Sequence, residues 1–153
     1  MISRKKIFYP ITPLLRNYLR VYQHEGKMPI SYSDLKYYSE SVPLLDAFGK
    51  DTFWETIIYS QSEIQHIHDG LKVVYAKLKA AGDLKALTHL YIERIDYCTF
   101  GNSHPFRVRI VNKFNDVYDY FYVKIGDASR VYGLELEHLL SPNQVHYLTD
   151  ENT

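Results

Sequence analysis

The chain has 153 residues, enough for one ordinary domain, or for two small units that share a core. Its 18 Lys+Arg balance 18 Asp+Glu, and this lack of a basic excess argues against a general nucleic-acid binder, which gains affinity by releasing counterions. Cys98 is the only cysteine, so no internal disulfide can form. No apolar run approaches the ~20 residues of a membrane helix. The basic start, Met1 to Lys6, leads into Tyr9, Pro10, Pro13 and Arg16 rather than the apolar core of a secretory signal. A reducing, cytoplasmic setting is expected.

In chain order, the first half reads as helical. Thr12-Pro13 is a start signal, a capping hydroxyl followed by proline at the first helical position. Leu15, Tyr18, Leu19 and Tyr22 then share a face, and Gly26 ends the segment. Ser33 is expected to cap a short helix through Tyr38. Pro43 restarts the chain into Leu44 to Phe48, and Gly49 stops it. Thr52-Phe53-Trp54-Glu55 fits a capping box. Phe53, Ile57, Ile64, Ile67, Leu71, Val74 and Leu78 recur at threes and fours, which predicts a helix from about Phe53 to Ala81, ended by Gly82 and weakened at Gly70.

The composition changes near Leu87. Strands are predicted over Leu90 to Tyr97, Phe106 to Val111 and Val117 to Ile125. The second alternates cleanly, with Phe106, Val108 and Ile110 on one face and Arg107 and Arg109 on the other. The link 112–116 is of hairpin length and carries the turn pair Asn115-Asp116. A helix follows over Ala128 to Leu140. A further strand is expected to begin at Val145 to Leu148, and the polar residues 149–153 to fray. The expected fold is therefore α+β: a helical N-terminal half, residues 1–86, bracing a small antiparallel three-stranded meander with a helix and a further strand, residues 87–153. The two form one compact unit.

One pair of residues in this second unit bears on chemistry. Lys124 ends the third strand, sharing a face with Tyr118, Tyr120 and Tyr122. On a wheel of about 100° per residue, Glu135 falls inside the apolar arc of Val131, Tyr132, Leu136, Leu139 and Leu140. A carboxylate on a packed face needs a partner, and Lys124 is the nearest basic candidate in sequence. Arg130, five residues before Glu135, lies to the side. An ordinary structural ion pair explains the same residues.

The succession of strand, glycine-bearing loop, strand, hairpin, strand with Val123-Lys124, helix with Glu135 and further strand resembles the N-terminal lobe of the protein-kinase-like superfamily. That superfamily includes the aminoglycoside and choline kinase relatives. The resemblance covers about residues 90–153. It implies that residues 99–104, with Gly101, Asn102 and Ser103, form the loop over the phosphates, that Lys124 binds phosphate, and that Glu135 is its helix partner. It implies ATP with Mg²⁺ as ligand, provided that a catalytic lobe is supplied by a continuation or a partner chain. The departures are specific. The loop has one glycine where the family has G-x-G-x-x-G, and Tyr122 stands where the family has alanine. Neither an H-R-D-type loop nor D-F-G occurs in these residues, so the module is expected to be inactive alone.

The alternative is a non-catalytic interaction module. The chain has 15 tyrosines, whose apolar rings and polar tips suit interfaces as well as half-buried strands. Other candidates are weaker. His66 and His68, two apart on a helix, point to different faces, and Glu63 with His66 does not complete a metal site. Cys98 has no adjacent base. Arg107 and Arg109, with Arg94, form a basic stripe that suits a solvated sheet face as well as phosphate. Substrate and oligomeric state are not encoded in any of these features.

Overall fold

A computed structural model describes residues 7–80, 82–140 and 146–153. Two short helices come first, α1 (Pro13–Val21) and α2 (Tyr32–Leu35). The expected cap of α1 is present: the Thr12 hydroxyl accepts from the Leu15 amide at 3.2 Å, with Pro13 at the first position. The cap of α2 is Ser31 rather than Ser33. Its hydroxyl accepts from the Asp34 amide while Asp34 accepts from the Ser31 amide, a reciprocal capping box.

The helical N-terminal half is not what this sequence forms. Two strands follow α2, β1 (Glu40–Leu45) and β2 (Asp51–Ile58), joined as an antiparallel hairpin. Pro43 lies within β1, where proline is tolerated because β1 is the edge of the sheet and its register shifts beside that residue. Asp46 closes the turn, its carboxylate accepting from the Phe48 and Lys50 amides, and Gly49 supplies a φ of 78°. The Thr52 hydroxyl does not cap a helix. It donates to the Leu44 carbonyl across the hairpin at 2.5 Å. Thr52, Phe53, Trp54, Thr56, Ile57 and Ile58 are β-branched or aromatic, and that preference prevails over the four-residue spacing of Phe53 and Ile57.

The predicted long helix is therefore α3 (Gln61–Lys79), starting after Ser60. It buries Ile67, Leu71 and Val74 against the sheet. Gly70 marks a close approach: a Cβ there would lie 2.2 Å from Ile30 Cγ1. A 3-10 turn (Leu84–Leu87) leads to β3 (Leu90–Cys98), β4 (Phe106–Asn112), β5 (Tyr118–Val123) and α4 (Ala128–Leu140), close to the expected bounds. All five strands form one antiparallel sheet in the order β1-β2-β3-β4-β5, drawing two strands from before residue 86 and three from after it.

The period-two pattern of β4 decides which face is buried. Phe106, Val108 and Ile110 join Ile92, Ile95, Phe121 and Val123 beneath α3. The opposite face carries Arg94, Asp96, Arg107, Arg109, Tyr120 and Tyr122, placed by the pairings Arg94↔Arg109, Asp96↔Arg107 and Arg107↔Tyr122. A smaller cluster of Ile11, Leu15, Leu19, Ala128 and Val131 holds α1 to α4, with Tyr147 packed against it.

The end of the chain is tied down rather than frayed. The Thr149 amide donates to the His24 carbonyl and the Gly26 amide donates to the Thr149 carbonyl. Residues 146–148 pair with no strand among the described residues; an isolated parallel bridge joins Thr149 to Glu25. Of the expected further strand, Val145 lies outside the described residues.

Candidate functional site

Glu135 is buried on α4, as its place in the apolar arc predicts, but its partners come from elsewhere in the chain. His24 Nδ1 lies 2.5 Å from one carboxylate oxygen, the Tyr147 hydroxyl donates to the same oxygen, and the Tyr18 hydroxyl donates to the other at 3.2 Å. Burial pushes the Glu135 pKa up, yet the hydrogen bonds from Tyr147, His24 and Tyr18 outweigh it and hold the carboxyl below its ordinary value. The same contact and burial push the Tyr147 hydroxyl well above the usual tyrosine range. Glu135 thus joins α1, α4 and the segment 146–149. No ion pair links it to Lys124 among the described residues.

Lys124 follows β5 directly and lines a cleft of about 410 Å³. The cleft is walled by β5, the end of α3, the first turns of α4 and the segment 146–149. Ile30, Val74, Phe121 and Val131 give it an apolar lining, to which Tyr147 adds; Tyr120 and Tyr122 also border it, but they belong to the opposite face of the sheet, where the Tyr120 hydroxyl accepts from Arg109. Its cations are Lys124 and Arg130, both half-buried, with Lys79 more exposed; His146 also lines it. Gly126 allows the chain to pass closely beneath: a Cβ there would lie 3.4 Å from the backbone carbonyl of Thr153.

The electrostatics of this cleft are unbalanced. Burial, and then the nearby Arg130 guanidinium, lower the Lys124 pKa. The Lys124 ammonium lies 5.8 Å from the Tyr122 ring centroid, and among the described residues no carboxylate pairs with it. Arg130 Nε is buried without a hydrogen-bond partner among the described residues. Two acidic groups close to this segment accept backbone hydrogen bonds. Asp127 accepts from the Arg130 and Tyr9 amides, and Asp150 accepts from the Met28 amide.

Gly101, Asn102 and Ser103 lie exposed in the loop between β3 and β4, with Gly101 at a φ of 81°. The Tyr97↔Phe106 and Phe106↔Val123 pairings bring this loop to the same end of the sheet as Lys124. The loop is anchored at its base, where the Cys98 amide donates to the Pro105 carbonyl and the Tyr32 hydroxyl donates to the His104 carbonyl at 2.8 Å. The structure thus places four of the five residues expected to bind nucleotide, Lys124 and the loop residues, at one sheet end. Glu135 it commits to another network.

The basic stripe is a paired array. Asp96, fully buried, accepts from Arg107 Nη2 at 2.8 Å and lies 2.9 Å from Arg94 Nε. Arg109 pairs with Glu93 at 2.6 Å, and the Arg107 guanidinium lies 4.2 Å from the Trp54 ring centroid. Among the described residues no three His, Cys, Asp or Glu side chains are grouped as metal ligands would be. Burial lowers the His68 pKa despite Asp69 beside it. The Cys98 thiol is 3.5 Å from the Phe100 carbonyl. No helix among the described residues is long and apolar enough to cross a membrane.

Compared with protein families, curated proteins and solved structures, the chain matches none.

Proposed function

We propose that this chain is a kinase-N-lobe-like module that binds the phosphates of a nucleotide and is inactive in phosphoryl transfer by itself. The observation that carries the reading is the Lys124 cleft: an apolar recess whose half-buried lysine lacks a carboxylate partner among the described residues, at the same sheet end as the Gly101 loop, no residue of which lines it. A base or ribose suits the apolar lining, and the phosphates suit the cations. With no grouped metal ligands among the described residues, Mg²⁺ would arrive on the phosphates and need a catalytic lobe from a continuation or partner chain. Glu135 acts in this reading as a clamp on the cleft wall through Tyr147, a departure from the lysine–glutamate pairing of that superfamily. The single thiol suits a cytoplasmic setting.

The test is ATP binding by calorimetry at low salt, for the wild type and Lys124→Ala. Saturable binding that weakens about tenfold or more in the variant supports the reading. Wild-type protein that binds neither ATP nor ADP overturns it.

A second reading, an interaction module, is favoured by one observation. Phe114, Val117, Tyr118 and Tyr122 stand exposed around β5, a strand at the sheet edge. Self-association in sedimentation, abolished by Tyr118→Ser, would favour it over nucleotide binding.

A further inference from the structure

We infer that Arg130 is a second phosphate-binding cation of the cleft, acting with Lys124 on one dianionic phosphate or pyrophosphate group. This deepens the nucleotide-phosphate reading and rests on it only for the rest of the ligand.

Four observations carry it. Arg130 and Lys124 line the same cleft, both half-buried, close enough for the guanidinium to disfavour the charged ammonium. Like charges at the edge of an apolar recess repel strongly, because the local dielectric is low. Arg130 Nε is buried and unpartnered among the described residues, a cost that a bound acceptor would remove. Arg130 also lies in the first turn of α4, the end of a helix where a cation is disfavoured and an anion favoured. Its own backbone amide is satisfied by Asp127, so the side chain is not needed for capping.

The chemistry of the pair is complementary. A guanidinium offers a planar fork for two phosphate oxygens, while an ammonium serves as a compact point charge. A single negative charge leaves one cation uncompensated; a dianion balances both. Lys79, also lining the cleft and exposed, adds to the positive charge rather than offsetting it.

The experiment titrates inorganic pyrophosphate into the full chain by calorimetry, with thermal melts in parallel, for the wild type, Arg130→Gln and Arg130→Lys. The expected result is saturable binding that weakens about tenfold or more in Arg130→Gln and less in Arg130→Lys, which keeps the charge but loses the fork. Without pyrophosphate, Arg130→Gln should melt no lower than the wild type, because a repulsion is removed; a purely structural arginine would lower the melt. Equal pyrophosphate affinity in wild type and Arg130→Gln overturns the inference, as does absence of binding to the wild type. If Arg130→Gln fails to fold, Arg130→Lys with wild-type affinity overturns it alone. Arg130-dependent pyrophosphate binding without tighter ATP binding upholds the dianion site and removes the nucleotide. Lys124-dependent ATP binding that Arg130→Gln leaves unchanged does the reverse.

Discussion

His24 Nδ1 lies 2.5 Å from the Glu135 carboxylate, across 111 residues of sequence, and fastens the loop after α1 to the middle of α4. This bond, with those of Tyr18 and Tyr147, leaves a buried carboxylate charged and satisfied. Glu135→Ala should destabilise the protein by about 2–4 kcal/mol, because three donors lose their acceptor. Urea unfolding at neutral pH measures it.

The same carboxylate has an acid signature. Its folded-state pKa is depressed, so its contribution to stability is complete above the ordinary carboxyl value and is lost as pH falls through the folded-state value. Wild-type protein should therefore lose stability more steeply than Glu135→Gln below about pH 4.3, the ordinary glutamate value. Denaturation midpoints at stepped pH give the comparison. Parallel curves would show that the carboxylate does not gain from folding.

Lys124 has the opposite sense. Its folded-state pKa is lowered, so the folded state is penalised while Lys124 is protonated and gains stability as pH rises from that value toward 10.5. Lys124→Met should remove this alkaline gain. Melts between neutral and mildly alkaline pH read the difference.

Gly70 is required by contact rather than by backbone freedom. Alanine ordinarily favours a helix over glycine by about 1 kcal/mol, yet the new Cβ would meet Ile30 Cγ1 at 2.2 Å and Cδ1 at 2.9 Å. Gly70→Ala should cost about 1–3 kcal/mol. The cost should shrink in an Ile30→Ala background, a coupling that a double-mutant cycle isolates.

Asp96 is a test of the paired sheet face. It is wholly buried beneath Arg94 and Arg107 and also accepts from the Thr56 hydroxyl at 3.1 Å. Asp96→Ala should cost about 3–5 kcal/mol, the range for stripping one partner from a buried ion pair. Chemical denaturation of the variant checks it. Loss of less than 1 kcal/mol would mean that the arginines reach water without help.

Local signals predicted the local structure well. The Thr12 cap, the alternation of Phe106, Val108 and Ile110, and the apolar arc of α4 each depend on neighbours within a few residues. The β1–β2 hairpin was hidden for a physical reason. Phe53 and Ile57 are four apart, so the helical template accepted them, while Trp54, Thr56 and Ile58 were the strand signal that it passed over. Pro43 read as a restart because its tolerance depends on lying at an edge, which only the whole sheet defines.

The place of Lys124, directly after a strand and before a helix, was legible from the flanking patterns. Glu135 was legible as buried, but its donors Tyr18, His24 and Tyr147 are brought to it by tertiary packing. Arg130 lines the same cleft as Lys124, a juxtaposition that its five-residue spacing from Glu135 does not reveal.

The bonds of Thr149 to His24 and Gly26 have a consequence for the order of events during synthesis. On a ribosome, the meander from β1 to β5 can pair before residue 149 emerges, since each strand joins its predecessor. The wall that Tyr147 and Thr149 give the cleft closes a loop of 125 positions and must wait until residue 149 has emerged. A nascent chain stalled short of that stretch would hold a finished sheet beside a cleft with one side missing.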